Sequence, residues 1–478
     1  MRNPRFSRIA TAIISFGFLI YVVMRAFFVG ITYDEAWTLQ SFVRLDWMHI
    51  LNLTPTDANN HIVNTLLIKL FFLSGNHSLF IARLPNVLAF VLYLWFTRKI
   101  CFEFLSGRTA LLTFALLLLN PFLLDFFGLA RGYGISIAFL AGALWFLLRF
   151  LSEKKPVAVF WSLLFAAVAV MSNFSLLNVW ISLAAVFLFF LVVNRKKLPV
   201  GKVLMAGLIA AVFLFSFAFE PVRKLSTSGS FYYGGNQDFF DDTILSLAKY
   251  SFYSPDLHFW MYPVVLTILL FFVLTVAVVI RKNNVLFSPA NMLFLVLLLS
   301  VLSVIVQHVL LGTLYLIDRT ALFYLPLFVL TLAFYVDRLS PRSLFSLGYS
   351  LFTLAAGVNF VAHFNFYKTA IWYFDAHTPT VLSTLNEIGE RKGHVLRLDY
   401  VWPFQSAVSY YSAEFRFIES IHTKDDRTAI QPESDYVLFL AHPLEKVGYE
   451  PAGIFIDTGR FRLVQSFPEE YVLLYKRK

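Results

Sequence analysis

The stretch Ile31-Thr32-Tyr33-Asp34-Glu35-Ala36-Trp37-Thr38 follows directly on an apolar run from Ile9 to Val29. A run of about 20 apolar residues is long enough to cross the hydrocarbon core of a bilayer. Ionised carboxylates are costly beside hydrocarbon, so an acidic pair at the end of such a run indicates a function at the membrane border. Asp34 and Glu35 are therefore the first candidates for catalysis.

The composition of the whole chain is that of a membrane protein. Of 478 residues, 59% are hydrophobic and 14% are charged, and the mean hydropathy is +0.70. A soluble globular chain has about 25% charged residues. The formal net charge is +10. The basic residues lie in short clusters between apolar runs, a pattern typical of membrane topology and not of nucleic-acid binding. The single cysteine, Cys101, excludes an internal disulfide.

Apolar runs of spanning length recur along the first three quarters of the chain. They predict a mainly α fold, a polytopic membrane helical bundle of about eleven spans. The predicted spans are 9–29, 80–97, 109–127, 133–151, 157–172, 175–193, 202–219, 259–280, 287–311, 320–336 and 344–362. The apolar stretch 62–74 contains Lys69 and is too short to cross, which predicts an interfacial helix in the first outer loop.

The basic clusters fall in alternate loops, on one side of the predicted bundle. These clusters are Arg2/Arg5/Arg8, Arg98/Lys99/Arg108, Lys154/Lys155, Arg195/Lys196/Lys197/Lys202, Arg281/Lys282 and Arg338/Arg342. The positive-inside rule then places the N-terminus in the cytoplasm and, with an odd number of spans, the C-terminus outside. The opposite loops hold Asp34-Glu35, His61, Arg131, residues 220–258 and Asp318-Arg319. The polar chemistry is thus predicted to lie on the outer face.

The composition changes after residue 362. Between Asp375 and Lys478, 27 of 104 residues are charged, which is close to the fraction in soluble domains. Strand-like stretches at 394–398, 435–440 and 471–475 flank a helix-like stretch at 403–413. Two domains are predicted: a catalytic membrane domain, 1–362, and a small extracytoplasmic α/β domain, 363–478.

Glu35 has two interpretations. Thr32-x-x-Glu35 matches a capping box, in which the glutamate satisfies a helix N-terminus. A capping role leaves Asp34 unexplained, and a carboxylate at the membrane border can accept a proton from a hydroxyl or bind a divalent ion. The segment Asn59-Asn60-His61 is similarly open. Either asparagine can cap the interfacial helix, and His61 is either a surface or capping residue or a ligand.

Four cations occupy the same predicted outer layer, namely Lys69, Arg83, Arg131 and Arg319. Each could extend to lipid headgroups or pair with Asp125 or Asp318. Several together are also typical of a phosphate clamp, because guanidinium groups bind phosphate oxygens bidentately.

The loop between Glu220 and His258 is too long for a simple connector. Its stretch Tyr232-Tyr233-Gly234-Gly235-Asn236-Gln237-Asp238 suits contacts with a sugar and equally suits an ordinary loop. The sequence contains no Gly-rich phosphate loop, no metal-ligand Cys/His spacing and no nucleophile motif.

With these residues in place, the chain resembles the GT-C superfamily of membrane glycosyltransferases. It is most similar to the family-39-like group of protein O-mannosyltransferases and lipid A aminoarabinose transferases. The stretches that carry the resemblance are Tyr33-Asp34-Glu35-Ala36-Trp37, Asn60-His61, Ala82-Arg83-Leu84-Pro85, Ala130-Arg131-Gly132-Tyr133, Asp318-Arg319 and Tyr324-Leu325-Pro326-Leu327. They span most of residues 9–362. Where the family often has a His-Pro-Pro-Leu-Tyr-type stretch, this chain has His61-Ile62-Val63-Asn64.

The resemblance implies transfer of a sugar from a polyprenyl-phosphate donor to an acceptor hydroxyl on the extracytoplasmic face, with inversion. It implies that Asp34 is the general base and that Arg131 and Arg319, with Lys69 or Arg83, neutralise the leaving phosphate. Glu35 or His61 would hold a divalent ion, although nothing in the sequence requires one. The acceptor would be a lipid, a glycan or a protein, and the bacterial inner membrane is the expected location.

Two rival functions use similar residues. A transporter or flippase of lipid-linked sugars would place ionisable residues near the middle of the bilayer. Here the clear examples lie near the outer ends of spans, with Arg25 and His308 slightly deeper. A polysaccharide polymerase or ligase would also use outer-face arginines and lipid-linked donors.

Overall fold

The computed structural model describes residues 4–230, 233–282, 287–421, 430–444, 448–454 and 456–478, with side chains from Ile9 onward. The side chains of the N-terminal basic cluster and the whole of Tyr232 therefore lie outside the described residues. Two compact units form: residues Met1–Ala26 with Asp46–Phe364, called here the helical unit, and residues Phe27–Leu45 with Asn365–Lys478, called the sheet unit. The predicted division at 362/363 stays a prediction.

Helices dominate the fold, which confirms the predicted class. They are α1 Pro4–Phe28, α2 Tyr33–Ser41, α3 Trp47–Leu51, α4 Ile62–Phe72, α5 Leu79–Phe104, α6 Gly107–Leu116, α7 Pro121–Asp125, α8 Gly132–Glu153, α9 Pro156–Ser172, α10 Leu177–Val193, α11 Val200–Thr227, α12 Ser246–Ser251, α13 Met261–Lys282, α14 Pro289–Leu311, α15 Tyr324–Val336, α16 Leu344–Ala362, α17 Thr378–Lys392 and α18 Gln405–Ser412. A π-helical segment, Phe239–Leu245, precedes α12, and short 3-10 turns include Asp318–Ala321 and Tyr373–His377.

Within the described ranges, nine helices are long and apolar enough to cross a membrane, so the chain is a multi-pass membrane protein. Nine of the eleven predicted runs correspond to them. The run 157–172 is the seventeen-residue helix α9. The run 109–127 is not one span, because α6 ends at Leu116 and α7 begins at Pro121. Proline disfavours helical backbone at the residue before it, Asn120 is extended, and its side chain caps α7 by accepting from Leu123 N–H at 3.0 Å.

The apolar stretch predicted as an interfacial helix forms helix α4. Helix α4 covers eleven residues, Ile62–Phe72, which at 1.5 Å per residue is about 16 Å and too short to cross the hydrocarbon core. Neither Asn59 nor Asn60 is the N-cap of α4; His61 occupies that position and makes no side-chain capping bond.

The sheet unit contains a mixed five-stranded sheet. Its strands are β1 Leu396–Tyr400, β2 Ile418–Ser420, β3 Tyr436–Leu440, β4 Phe461–Phe467 and β5 Val472–Arg477, in the order β2-β1-β3-β5-β4. Strand β1 is parallel to both β2 and β3, and β5 is antiparallel to both β3 and β4. Every residue of β3 is buried, as a continuous apolar central strand requires. The α/β prediction for the end of the chain is confirmed, although the sequence did not indicate β2, β4 or α17.

A buried charge pair joins α1 to α7 in the helical unit. Arg25 Nη2 lies 2.6 Å from Asp125 Oδ1 and donates to the Tyr253 hydroxyl at 3.1 Å, and both charged side chains are almost fully buried. Tyr253 also donates to Asp125 Oδ1 at 2.8 Å. From the sequence, Asp125 was a candidate partner for the outer cations; in the structure its partner is Arg25.

Loss of one member of this pair should destabilise the protein. Arg25→Met leaves the Asp125 carboxylate buried without its cation, which costs about 3–5 kcal/mol in comparable buried pairs. We expect a lower melting temperature in detergent for Arg25→Met. The double variant Arg25→Met/Asp125→Leu should recover part of this loss, because it removes both charges together. A double variant that melts below the single variant would contradict this account of the pair.

Candidate active site

Arg131 is fixed at the start of α8 by the polar segment before α4. Its backbone is extended, as the N-cap residue of a helix requires, and its side chain is 1% exposed. Nη1 donates to the Asn59 carbonyl at 3.1 Å, and Nη2 donates to the Asn59 side-chain oxygen. The guanidinium also lies over the ring of Tyr133, 5.9 Å from its centroid. Asn59, expected as a helix cap, instead holds the arginine.

Two glycines permit the close packing around Arg131. A Cβ at Gly132 would lie 2.1 Å from the Ser172 carbonyl oxygen and 2.7 Å from the Cβ of His61. A Cβ at Gly134 would lie 2.4 Å from the Phe126 carbonyl oxygen. No side chain fits at either distance, so glycine lets the first turn of α8 pack directly against neighbouring backbone.

His61 packs against the same turn. Its Nδ1 lies 2.8 Å from the Ser172 carbonyl oxygen, and its ring meets the Tyr133 ring edge-on at 4.6 Å between centroids. A carbonyl only accepts hydrogen bonds, so Nδ1 carries a proton and, in the neutral ring, Nε2 presents a lone pair. Nε2 is buried and has no hydrogen-bond partner among the described residues. Burial and then the charge of Arg131 hold the pKa of His61 well below its usual value, despite the Ser172 contact, and Arg319 lowers it further.

Two asparagines that the sequence did not single out support this turn. Asn64 Nδ2 donates to the Ala130 carbonyl at 2.9 Å, and Asn86 Nδ2 donates to Asn64 Oδ1 at 2.8 Å. Asn86 Oδ1 in turn accepts from Ile135 N–H at 3.2 Å. In the sequence, Asn64 follows His61 by about one turn and Asn86 follows Arg83 by about one turn. This proximity was the only signal of their role, because the bonds between them depend on tertiary packing.

Arg319 is held by a tyrosine from the long loop. Arg319 Nη1 donates to the Tyr233 hydroxyl at 2.5 Å, and its guanidinium lies 4.0 Å from the centroid of that ring. The Tyr233 hydroxyl donates to Asp318 Oδ2 at 2.5 Å, and Asp318 also pairs directly with Arg319 at 3.5 Å. Tyr233 was expected at most as a sugar contact, and here it orients an arginine.

His61, Arg131 and Arg319 are called here the cation cluster. They come from three distant segments of the helical unit, and both arginines act on His61 strongly enough to lower its pKa. The charges of both guanidinium groups thus reach the imidazole, whose Nε2 is buried without a hydrogen-bond partner among the described residues. Such a cluster suits a phosphate group, since charge-assisted hydrogen bonds strengthen where water is excluded.

Lys69 and Arg83 make their described contacts elsewhere in the helical unit. Lys69 is in the last turn of α4, eight residues and so about 12 Å along the axis from His61, with its ammonium 5.7 Å from the centroid of Trp47. Arg83 is fully buried in α5 and donates to the Ala26 carbonyl at 3.2 Å. Their substrate-binding role stays a prediction.

Asp34 and Glu35 lie in the first turn of α2, in the sheet unit. Glu35 is fully buried and forms the capping box: Thr32 N–H donates to its carboxylate at 3.1 Å, and Glu35 N–H donates to the Thr32 hydroxyl at 3.4 Å. The capping interpretation of Glu35 is confirmed. Asp34 is 8% exposed in the first helical turn, where the helix dipole favours a negative charge.

A divalent ion at Glu35 or His61 also stays a prediction. These two residues belong to different units of the structure. Across the described ranges, no group of three or more His, Cys, Asp or Glu side chains is arranged to hold a metal ion.

Comparison with known proteins shows which solved structures share the fold of this chain. No protein-family model matches the sequence, and no curated protein matches it. Two crystal structures of ArnT from Cupriavidus metallidurans are similar along almost the whole chain. The apo structure has 11% identity and a TM-score of 0.54, covering 98% of this chain and 96% of ArnT. The chain has the ArnT fold. The ArnT structure bound to undecaprenyl phosphate has 12% identity and a TM-score of 0.52, covering 98% of this chain and 97% of ArnT.

The glycine at 132 provides a test of the packing around the cluster. Gly132→Ala must push Ser172 and His61 away, so we expect a loss of stability of about 1–3 kcal/mol and a lower melting temperature in detergent. Gly207→Ala in α11 is the matched control, since its nearest neighbour would be 3.8 Å from the new Cβ. An equal melting temperature for both variants would show that the close approach at Gly132 is not a constraint.

Proposed function

We propose that this protein is a membrane glycosyltransferase that moves a sugar from a polyprenyl-phosphate donor to an acceptor hydroxyl on the extracytoplasmic face. The acceptor is a lipid, a glycan or a protein. The polyprenyl chain stays in the bilayer during the reaction, so the bond that breaks lies at the membrane border. The proposed location is the bacterial inner membrane, with the N-terminus in the cytoplasm and the C-terminus outside.

The observation that carries this proposal is the cation cluster. Arg131 is almost fully buried and the Arg319 side chain is 11% exposed, each is held by a named neighbour, and the charges of both lower the pKa of His61. A lipid-linked phosphate has the charge and the oxygens to bind there. The ArnT fold supports the same ligand class, because ArnT, a lipid A aminoarabinose transferase, was crystallised with undecaprenyl phosphate.

The proposed step is a direct displacement at the anomeric carbon. The acceptor oxygen forms the new bond to this carbon while its proton passes to Asp34, and the bond from the carbon to the phosphate oxygen breaks. The electron pair leaves with the polyprenyl phosphate, whose growing charge Arg131 and Arg319 neutralise. One displacement inverts the configuration. Lys69 and Arg83 are proposed as further contacts of the donor.

Purified protein with polyprenyl-phosphate sugars and candidate acceptors tests the proposal. Release of polyprenyl phosphate with a glycosylated acceptor supports it. Release of a diphosphate instead would support a polymerase or ligase, and movement of the intact donor across vesicles without bond cleavage would support transport. Either of the last two results overturns the proposal.

Asp34→Asn tests the proposed base. The amide cannot take the proton of the acceptor hydroxyl, so we expect kcat to fall by about 10²–10⁴-fold, as for other general bases. Asp46→Asn serves as a control, because the Asp46 side chain follows in the same first loop and is 89% exposed. Equal turnover by Asp34→Asn and the wild-type enzyme would remove Asp34 from the mechanism.

A further inference from the structure

A hydrogen bond from a distant segment reaches the first turn of α2. The capping box satisfies the backbone N–H groups of Thr32 and Glu35 within the segment. The N–H of Tyr33, the first helical residue, instead donates to Asp375 Oδ2 at 2.7 Å, across 342 residues of sequence. The helix that carries Asp34 is therefore tied directly to the C-terminal part of the sheet unit.

Asp375 is an unusual residue for this task. It lies in the 3-10 turn Tyr373–His377 and is 2% exposed, and its Oδ1 is buried without a hydrogen-bond partner in the described part of the chain. Burial raises the pKa of Asp375 well above its usual value. The Tyr33 N–H lowers it, and the charges of Asp34 and Glu35 raise it further. A neutral carboxyl can still accept the Tyr33 hydrogen bond without adding a third negative charge.

Further contacts hold the same segment in the sheet unit. Ile31 N–H donates to the Tyr411 hydroxyl at 3.0 Å, and the Tyr33 ring meets Trp402 edge-on at 6.1 Å between centroids. Of these three contacts, the bond to Asp375 is the one made to the backbone of the helical turn that contains Asp34.

We propose that Asp375 is a positioning residue, whose carboxyl fixes the first turn of α2 and thereby the direction of the Asp34 carboxylate. The C-terminal part of the chain then serves the reaction by holding the base in place. This inference rests on the proposed role of Asp34 in the transfer reaction. Small displacements of a reacting group are costly: an error of about 1 Å can lower a rate by about 10²-fold.

Two substitutions at Asp375 separate positioning from folding. Asp375→Asn keeps a neutral acceptor for Tyr33 N–H, so we expect kcat within about threefold of wild type. Asp375→Leu removes the acceptor, and we expect kcat to fall by about tenfold or more with little change in the KM of the donor. Wild-type kcat in Asp375→Leu would overturn the proposal, as would an equal loss in both variants.

A substitution at Tyr33 removes the donor from the other side. Proline is favoured at the first position of a helix, and Thr32 already has the extended backbone that a following proline requires, with φ −88° and ψ 158°. Tyr33→Pro therefore removes the N–H with little disturbance of the helix. Tyr33→Ala is its control, since it also removes the ring but keeps the N–H. Relative to Tyr33→Ala, we expect the kcat of Tyr33→Pro to fall by as much as the kcat of Asp375→Leu falls relative to wild type. We expect the double variant Tyr33→Pro/Asp375→Leu to show no further loss. Losses that multiply in the double variant would contradict the proposed bond.

Hydrogen exchange gives a result that does not depend on turnover. We expect the Tyr33 amide to exchange slowly in the wild type and in Asp375→Asn, and faster in Asp375→Leu. If the wild-type protein shows this protection but releases no polyprenyl phosphate, the proposed reaction fails while the tether stands. If the Tyr33 amide exchanges equally fast in all three proteins, the tether itself is wrong.

Discussion

The burial of Arg131 is the constraint on which the rest of the helical unit depends. A guanidinium taken out of water must be compensated by neighbours, and Asn59 provides both a carbonyl and a side-chain oxygen. This contact requires the segment before α4 to meet the start of α8, which Gly132 allows by leaving no side chain between them. His61 is then brought against Ser172, and the bonds through Asn64 and Asn86 hold the turn. The contacts that compensate the buried charge of Arg131 therefore also place His61 beside it.

In the sheet unit, buried carboxyl groups lie at the start of α2. Glu35 is used in the cap of α2, and Asp375 accepts from the same helix start. Asp34 lies in the same first turn of α2. In the proposed reaction Arg131 and Arg319 bind the phosphate, and Asp375 positions the base, Asp34.

Hydropathy was sufficient to predict most spans, because the length of an apolar run needs no knowledge of tertiary structure. The failure at 109–127 was of a different kind, since Asn120-Pro121 is a local helix-breaking signal inside an apolar run. The motifs around Asp34, His61, Arg131 and Arg319 were visible as charges in a poorly charged chain. Their supports were not visible: Tyr233 lies 86 residues from Arg319, and Asp375 lies 342 residues from Tyr33. Such partners are chosen by packing and leave no spacing pattern in the sequence.

The affinity for a polyprenyl phosphate tests the central claim most directly, because it isolates the cation cluster from catalysis. Titration of the purified protein in detergent should give a Kd that rises about tenfold or more in Arg131→Gln and in Arg319→Gln, since each loses charge-assisted hydrogen bonds worth about 1.5–3 kcal/mol. Arg149→Gln is the control, as this arginine is 39% exposed and pairs with Glu153 in α8. Folded Arg131→Gln and Arg319→Gln proteins that bind the lipid phosphate as tightly as the wild type would contradict the account.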